Sequence, residues 1–355
     1  MPNQRYETLE GVLARIVDED SRKRDLIADT RKMGLSDENP STLLVDLDEG
    51  TETFELGDHA LGQLSSDVGI PKRYFDRMHT DAPDLFRTNV HHWLYQEPDR
   101  KLVRGRRNDD GTVTGRAWLS DRYRRLDNIE IARTLLPEFE KLPTNVQFHN
   151  AAVTDSRFYL RAVFPDMQKA VKVGDDVQWG VEIRNSEVGQ GLLSISGFVL
   201  RLVCTNGMVV SHELKARHVG RRLDGEGIFA DETLQADDVA FWLAARDTLR
   251  AAISETRFEE IVSKLRETTE GEKIVRPIKA SEALAQRYSL TEEEREDVLV
   301  SLFAANDFSQ WGALNAITQT AQTRESFDRQ AELESIGWDV ANLSGREWAT
   351  VAATA

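Results

Sequence analysis

Between Asp176 and Ser211 the chain alternates in polarity. Val177, Trp179, Val181 and Ile183 are interleaved with Gln178, Gly180, Glu182 and Arg184, the period of a strand with one buried face. A polar loop, Asn185-Ser186-Glu187-Val188-Gly189-Gln190-Gly191, follows, and then an apolar strand from Leu192 to Cys204. Asn206-Gly207 is a hairpin signal that turns the chain back into Met208–Ser211. Upstream, residues 7–33 read as a charged helix with Val12, Leu13, Ile16 and Ile27 on its apolar stripe. Ser41–Glu55 alternates around Asp48-Glu49-Gly50 and predicts a hairpin. Asp58–Met78 reads as helix, turn, helix, broken at Gly69-Ile70-Pro71. Phe86–Tyr95 alternates as a strand would, and Asn108-Asp109-Asp110-Gly111 marks a hairpin between 100–107 and 112–119. Asn128 is a candidate cap for a helix over 129–142, with Pro137 as a kink, and 146–164 predicts another hairpin.

After residue 233 the pattern is helical. Helices are expected over 234–270, 281–288, 291–305 (with Thr291 and Glu294 as a capping box) and 311–321. The expected class is therefore α+β: an antiparallel sheet with packed helices, followed by a helical C-terminal part. The expected units are a helical segment over 1–40, a core over 41–220, a helical region over 228–343 and a loose tail over 344–355. Arg221–Gly227 is the expected linker.

Composition narrows the class. The 355 residues are 40% hydrophobic and 30% charged, and no apolar run approaches the roughly 20 residues of a membrane span. The single cysteine, Cys204, rules out an intrachain disulfide framework and suits a reducing cytoplasm; it is expected to be a small buried hydrophobe. The formal net charge is −16, but it is unevenly spread. Residues 1–71 carry 7 basic and 16 acidic side chains, 72–126 carry 13 and 8, and 230–300 carry 10 and 17. A basic island thus lies between acidic flanks.

Motifs for chemistry are sparse. The seven histidines form no HExxH, one cysteine cannot build a zinc ribbon, and there is no phosphate loop or GxSxG. Neither a metal site nor a cofactor nor a catalytic residue is expected. The island is the candidate site. Arg104, Arg106, Arg107, Arg116, Arg122, Tyr123, Arg124 and Arg125 lie on or beside one hairpin, and Arg157, Tyr159 and Arg161 share a strand face. Cations track phosphates and rings stack on unpaired bases, so this mixture suits single-stranded nucleic acid. A solvated face with salt bridges to the acidic flanks is the alternative.

The segments N-S-E-V-G (185–189) and V-C-T-N-G-M (203–208), with W-G-A-L-N-A-I-T (311–318), resemble the DUF932 family. In that likeness Asn185, Ser186, Glu187, Gly189, Cys204, Asn206 and Gly207 are motif positions with structural roles. The resemblance implies a phage- or plasmid-associated protein. By topology alone, a hairpin-rich sheet with a packed helix is also the plan of one class of strand-annealing proteins. The expectation is a non-enzymatic, cytoplasmic, homo-oligomeric protein that binds or anneals single-stranded DNA. The alternative is an acidic factor that binds host or phage proteins, such as a nuclease inhibitor or replication accessory, without nucleic-acid affinity. No membrane partner is expected.

Overall fold

The computed structural model describes residues 8–216 and 231–353. The chain opens with helix α1 (Leu9–Ser21), capped by the Thr8 hydroxyl. It continues through β1 (Lys23–Asp29), a single 3-10 turn, β2 (Met33–Leu35), β3 (Thr42–Leu47) and β4 (Gly50–Leu56). Three helices follow, α2 (Asp58–Asp67), α3 (Lys72–Asp81) and α4 (Pro83–Gln96), and then the hairpin β5 (Arg100–Arg107) and β6 (Val113–Ser120). Next come α5 (Asn128–Phe139), β7 (Gln147–Val153), β8 (Phe158–Lys172), β9 (Asp175–Asn185), β10 (Leu193–Arg201) and β11 (Gly207–Ala216). The C-terminal part is α6 (Asp231–Ala252), α7 (Glu255–Glu270), α8 (Pro277–Tyr288), α9 (Glu292–Ala305), α10 (Gln310–Ala321), α11 (Phe327–Ala341) and α12 (Gly345–Ala352). The class is α+β with a helical C-terminal part, as the patterning predicts.

The strands form two sheets. The first has the order β1-β5-β6-β4-β3-β2 and the second β11-β10-β9-β8-β7. All neighbours are antiparallel except β4 and β6, which pair in parallel over Glu55–Leu56 and Thr114–Gly115. Each sheet has its own apolar cluster. In the first, Phe54, Leu64, Phe75, Phe86 and Trp118 are buried between the strands and α2–α4. In the second, Leu160, Trp179, Val181 and Ile195 join side chains from α1, α5 and the C-terminal helices. Trp179 fixes the middle of this core. Its Nε1 donates to the Ala252 carbonyl at 2.9 Å, and its ring stacks on Phe258 with centroids 5.7 Å apart. A Cβ on Gly197 would come within 2.3 Å of the same ring, so the facing strand is glycine at that point.

Several expected elements differ. The helix over 7–33 ends at Ser21, because the charged run Asp18–Asp25 interrupts its apolar spacing; Ile27 lies on β1 instead. The segment 1–40 therefore supplies strands to the first sheet, and the core unit 41–220 divides between two sheets. Phe86–Tyr95 is helical, not a strand: Phe86, Val90 and Leu94 are the buried positions, four residues apart, and Pro83 opens the helix. The cap before α5 is Asp127, with Asn128 its first residue. The long helix over 234–270 breaks at Ile253-Ser254, where Ser254 caps α7. The capping box at Thr291 and Glu294 is present. The expected linker 221–227 lies outside the described residues.

The tail 344–355 is not loose over its described part. Ser344 and Glu347 form a capping box for α12, and Trp348 and Val351 are buried. Trp348 Nε1 also donates to the Glu272 carbonyl at 2.8 Å. Trp348→Ala removes this anchor and is expected to cost about 3–5 kcal/mol, the range for deleting a buried aromatic ring. Urea unfolding of the variant beside the parent checks it; a midpoint unchanged within error would return α12 to the status of a loose tail.

Candidate functional site

The loop between β9 and β10 joins the two sheets. Asn185, the last residue of β9, donates through Nδ2 to the Leu126 carbonyl (2.8 Å) and to Asn128 Oδ1 (2.9 Å). These partners are far along the chain, not the local backbone. Ser186 Oγ donates to the Ser156 carbonyl at 2.8 Å and accepts the Gln190 amide at 3.0 Å. The Ser186 carbonyl accepts the Tyr123 hydroxyl at 3.1 Å. Glu187 is held at both ends. Oε1 accepts the Asn128 amide at 2.8 Å, Oε2 faces Arg116 Nη1 at 3.2 Å, and its carbonyl accepts Arg104 Nη1 at 3.0 Å. The Val188 carbonyl accepts from Gln63 Nε2 and His59 Nε2, each at 2.8 Å. Gly189 has φ +78°, and a Cβ there would lie 2.8 Å from Leu119, so this position needs glycine on both counts.

Arg104 is the charged centre of the junction. It is buried, with Nε 3.1 Å from Asp25 and Nη2 2.7 Å from Asp127. Asp127 is shared with Lys23 at 2.6 Å, and Lys23 also meets Asp20 at 2.6 Å. Burial by itself would raise the Asp127 carboxyl, but Arg104 and Lys23 outweigh it and hold the group below its usual value. Burial of Tyr123 raises its phenol well above the normal range, so it is a neutral donor here.

A second charged cluster lies beneath α11. Arg161 is fully buried, 2.7 Å from Glu182 through Nε and in direct contact with Glu334. The Phe198 and Phe327 rings cover its guanidinium at 4.9 and 5.3 Å. Burial and the two Arg161-bound carboxylates split the pair. Glu334 is driven up by burial, whereas for Glu182 burial is outweighed by Arg184 and Arg161, which hold it down. Burial and Arg161 also push His149 down to about 4.

The expected arginine-rich face is therefore not one open surface. Arg104 and Arg161 are internal. Arg106 meets Glu19 at 3.1 Å, and Arg116 meets Glu187. Arg124 is held by Asp237 and Asp238 (3.1 and 2.6 Å) and lies over the Phe241 ring. Arg157 bonds the Gln190 carbonyl at 2.8 Å, and buried Tyr159 donates to Asp328 at 2.7 Å. Arg107, Arg122 and Arg125 remain exposed, the last 4.0 Å from Asp25. Arg157, Tyr159 and Arg161 do share a strand face, but α11 covers it; the acidic partners come from distant segments that charge counts along the sequence do not locate.

The motif over 203–208 also differs from expectation. Cys204 is exposed in the loop after β10, where the Arg201 guanidinium donates to its Sγ at 3.6 Å. The strand ends at Arg201, and Thr205 takes the positive φ, so Asn206-Gly207 is not the centre of the turn. Asn206 is buried instead and donates to Thr318 Oγ1 at 2.5 Å. Gly207 is needed because a Cβ would strike the Phe198 ring at 2.4 Å.

Two features were missed by sequence reasoning. The first is a cleft of about 910 Å³ beside the junction, lined by His59, Gln63, Asp67, Lys101, Trp118 and Gln190 among others. Lys101 at its wall is paired with Asp67 at 2.6 Å and Asp99 at 2.9 Å. The second is the outer face of α3 and α4. Only Phe75 and Met78 of α3 are buried; Lys72, Arg73, Tyr74 and Arg77 point outward. Lys72 lies against Gly62 on the cleft wall, so the two features are continuous. Tyr74 is 48% and Trp93 38% exposed. Each sits one helical turn from the Asn89–Met78 contact, so both rings flank the seam between α3 and α4. Reading 86–95 as helix was the signal that would have revealed this face. Among the described residues no group of three His, Cys, Asp or Glu side chains could hold a metal, and no helix is long and apolar enough to cross a membrane.

This is an α+β protein whose motif loop locks two sheets together. The chain belongs to the family described as a domain of unknown function (DUF932), whose model matches residues 117–337. No curated protein and no solved structure matches it.

Arg104→Ala takes the main counter-charge from Asp25, leaves Asp127 with Lys23 alone and frees the Glu187 carbonyl, and is expected to cost about 3–5 kcal/mol, the usual penalty for breaking a buried pair. Asp127 contributes to the pH dependence. Its folded value is lowered, so its stabilisation is complete above the unfolded value of about 4 and is lost as pH falls through the folded one. Asp127→Asn should thus lower stability at neutral pH and flatten the acid limb of a stability–pH curve measured by urea unfolding. An acid limb of unchanged slope would show that Asp127 is not linked to folding.

Proposed function

We propose that the protein binds single-stranded nucleic acid and that the strand crosses the α3–α4 face rather than the arginine-rich hairpin. The observation that carries this reading is the outer surface of α3, where Lys72, Arg73 and Arg77 stand beside the exposed Tyr74. Arg73 has no carboxylate partner among the described residues, whereas Lys72 and Arg77 pair with Asp76 and Asp81 one turn on. Exposed pairs at that spacing are worth only about 0.3–0.5 kcal/mol, so a phosphate can displace the carboxylates at little cost. The first turn of α3 has Pro71 before it and no side-chain cap; the Tyr74 amide is taken by the Pro71 carbonyl, and the Lys72 and Arg73 amides face the same anion. Tyr74 and Trp93 supply faces for unpaired bases, at about 1–3 kcal/mol per stacked base. Base edges stay free for pairing, as annealing requires.

The second reading is a protein-binding factor. Leu85 and Tyr95 are exposed on the same α4, and the net charge of −16 opposes polyanions at long range. Fluorescence anisotropy with labelled single- and double-stranded DNA separates the two. Single-strand binding is expected, with a slope of log affinity against log salt of about −2, for three phosphates neutralised. Tyr74→Ala should weaken it by about 5- to 150-fold, the stacking energy above expressed as affinity. Removing Lys72, Arg73 and Arg77 together should flatten the salt slope, and Arg107→Ala with Arg125→Ala should change neither. Absence of single-strand binding at low salt would overturn the reading and leave the protein-binding factor.

A further inference from the structure

The C-terminal half of α9, Val298-Leu299-Val300-Ser301-Leu302-Phe303-Ala304-Ala305, is apolar around most of its circumference. A helix of that kind is normally covered on more than one side. Val298 and Leu302 face the core, whereas Val300 is 66% and Phe303 55% exposed. Ile278 on α8 and Val275 before it are also exposed. These residues lie at one end of a helical hairpin. The three-residue connection 289–291 makes α8 and α9 antiparallel neighbours, which brings the start of α8 to the end of α9. The Ile274 amide donates to the Phe308 carbonyl at 2.7 Å, and the Phe308 ring packs on Phe303 at 5.8 Å, tying the segment before α8 to the same patch. A single exposed apolar side chain needs no explanation, but a cluster of this kind marks a contact surface.

The charges around the patch indicate what covers it. Lys273, Arg276 and Lys279 stand at the apolar end, all exposed. Glu292, Glu293 and Glu296 stand at the other end, where α9 begins, and Glu293 and Glu296 share the outward stripe with Val300 and Phe303; Arg295 pairs with Glu292 and Glu296 and Arg324 with Glu293, but the three carboxylates stay largely exposed and such surface pairs are weak enough for a partner's cations to share. We propose that this face binds a second copy of the chain about a two-fold axis near Val300, with the two α9 helices antiparallel. Each copy's basic end then meets the other's acidic end, and Val300 and Phe303 of both copies form the dry centre. Placed face to face, a surface that is basic at one end and acidic at the other is self-complementary when the two copies run antiparallel, which is what such an axis provides. It shares no residue with the α3–α4 face.

Sedimentation velocity of the full chain across the micromolar range tests the proposal. The parent should form a dimer, and Phe303→Glu should raise its dissociation constant by roughly 30-fold or more, as loss of a central aromatic anchor does. The position is exposed, so an unchanged thermal midpoint for the monomer would show that the fold is intact. A charge exchange checks the geometry. Glu292→Lys, Glu293→Lys and Glu296→Lys together, or Lys273→Glu, Arg276→Glu and Lys279→Glu together, should each yield monomers, and mixing the two variants should restore a dimer. A monomeric parent, a dimer indifferent to Phe303→Glu, or a mixture that stays monomeric would each overturn it.

Discussion

The carboxylate of Glu187 is the group on which the joining of the two sheets depends. A charge removed from water must be met by donors in fixed positions, or the loop that carries it will not stay buried. Here the donors come from the first turn of α5 and from β6, while the carbonyl of the same residue holds Arg104 on β5. One residue of one loop thus positions three elements. Arg104 in turn requires Asp25 on β1 and Asp127 before α5, so the amino-terminal strand is drawn into the same network. Asn185, Ser186 and Gly189 serve this arrangement directly, by bonding the α5 entry, bonding the β7–β8 turn and letting the loop pass Leu119.

Legibility in the sequence followed the range of the interactions. Hairpins at 42–56 and 100–120, and the β7–β8 pair as far as Phe164, were readable because turn residues and alternation are local signals; the extension of β8 to Lys172 was not. The Thr291 capping box was readable for the same reason. The α4 helix was not, because Arg87, Asn89, His91, Trp93 and Tyr95 happen to alternate with Thr88, Val90, His92 and Leu94, and the decisive spacing of Phe86, Val90 and Leu94 is equally present in the same ten positions. The basic island failed at longer range. A count of charges finds Arg104 but cannot find Asp25, which lies 79 positions earlier, or place Glu334 against Arg161. Buried arginines keep their charge and so look the same in sequence as arginines that face solvent.

The span of the family match has a physical counterpart. Residues 117–337 begin within β6 and end within α11. They contain the second sheet, the motif loop, and both carboxylates that compensate Arg161. A guanidinium under a helix is stable only while that helix brings its counter-charge, so Glu334 makes α11 a part of the sheet's core rather than an appendage. Asn206 contributes the same coupling at the neighbouring strand, through Thr318 on α10. The α3–α4 face lies before this span, whereas the α8–α9 surface lies inside it.

The charge balance separates the two surfaces in kind. Most of the arginines between β5 and β8 are consumed by the protein's own carboxylates, and what those pairs determine is which elements meet. Among the cations that remain outward, those on α3 stand beside an exposed aromatic ring, and their carboxylate partners are absent or only one exposed turn away. A chain of net charge −16 cannot rely on long-range attraction to hold a polyanion. On the proposed reading, nucleic acid held there would owe its affinity to short-range contacts, with the rings of Tyr74 and Trp93 contributing more than the phosphates. That ordering is what separates a stacking surface from an electrostatic one, and it follows from where the carboxylates lie rather than from how many arginines the chain contains.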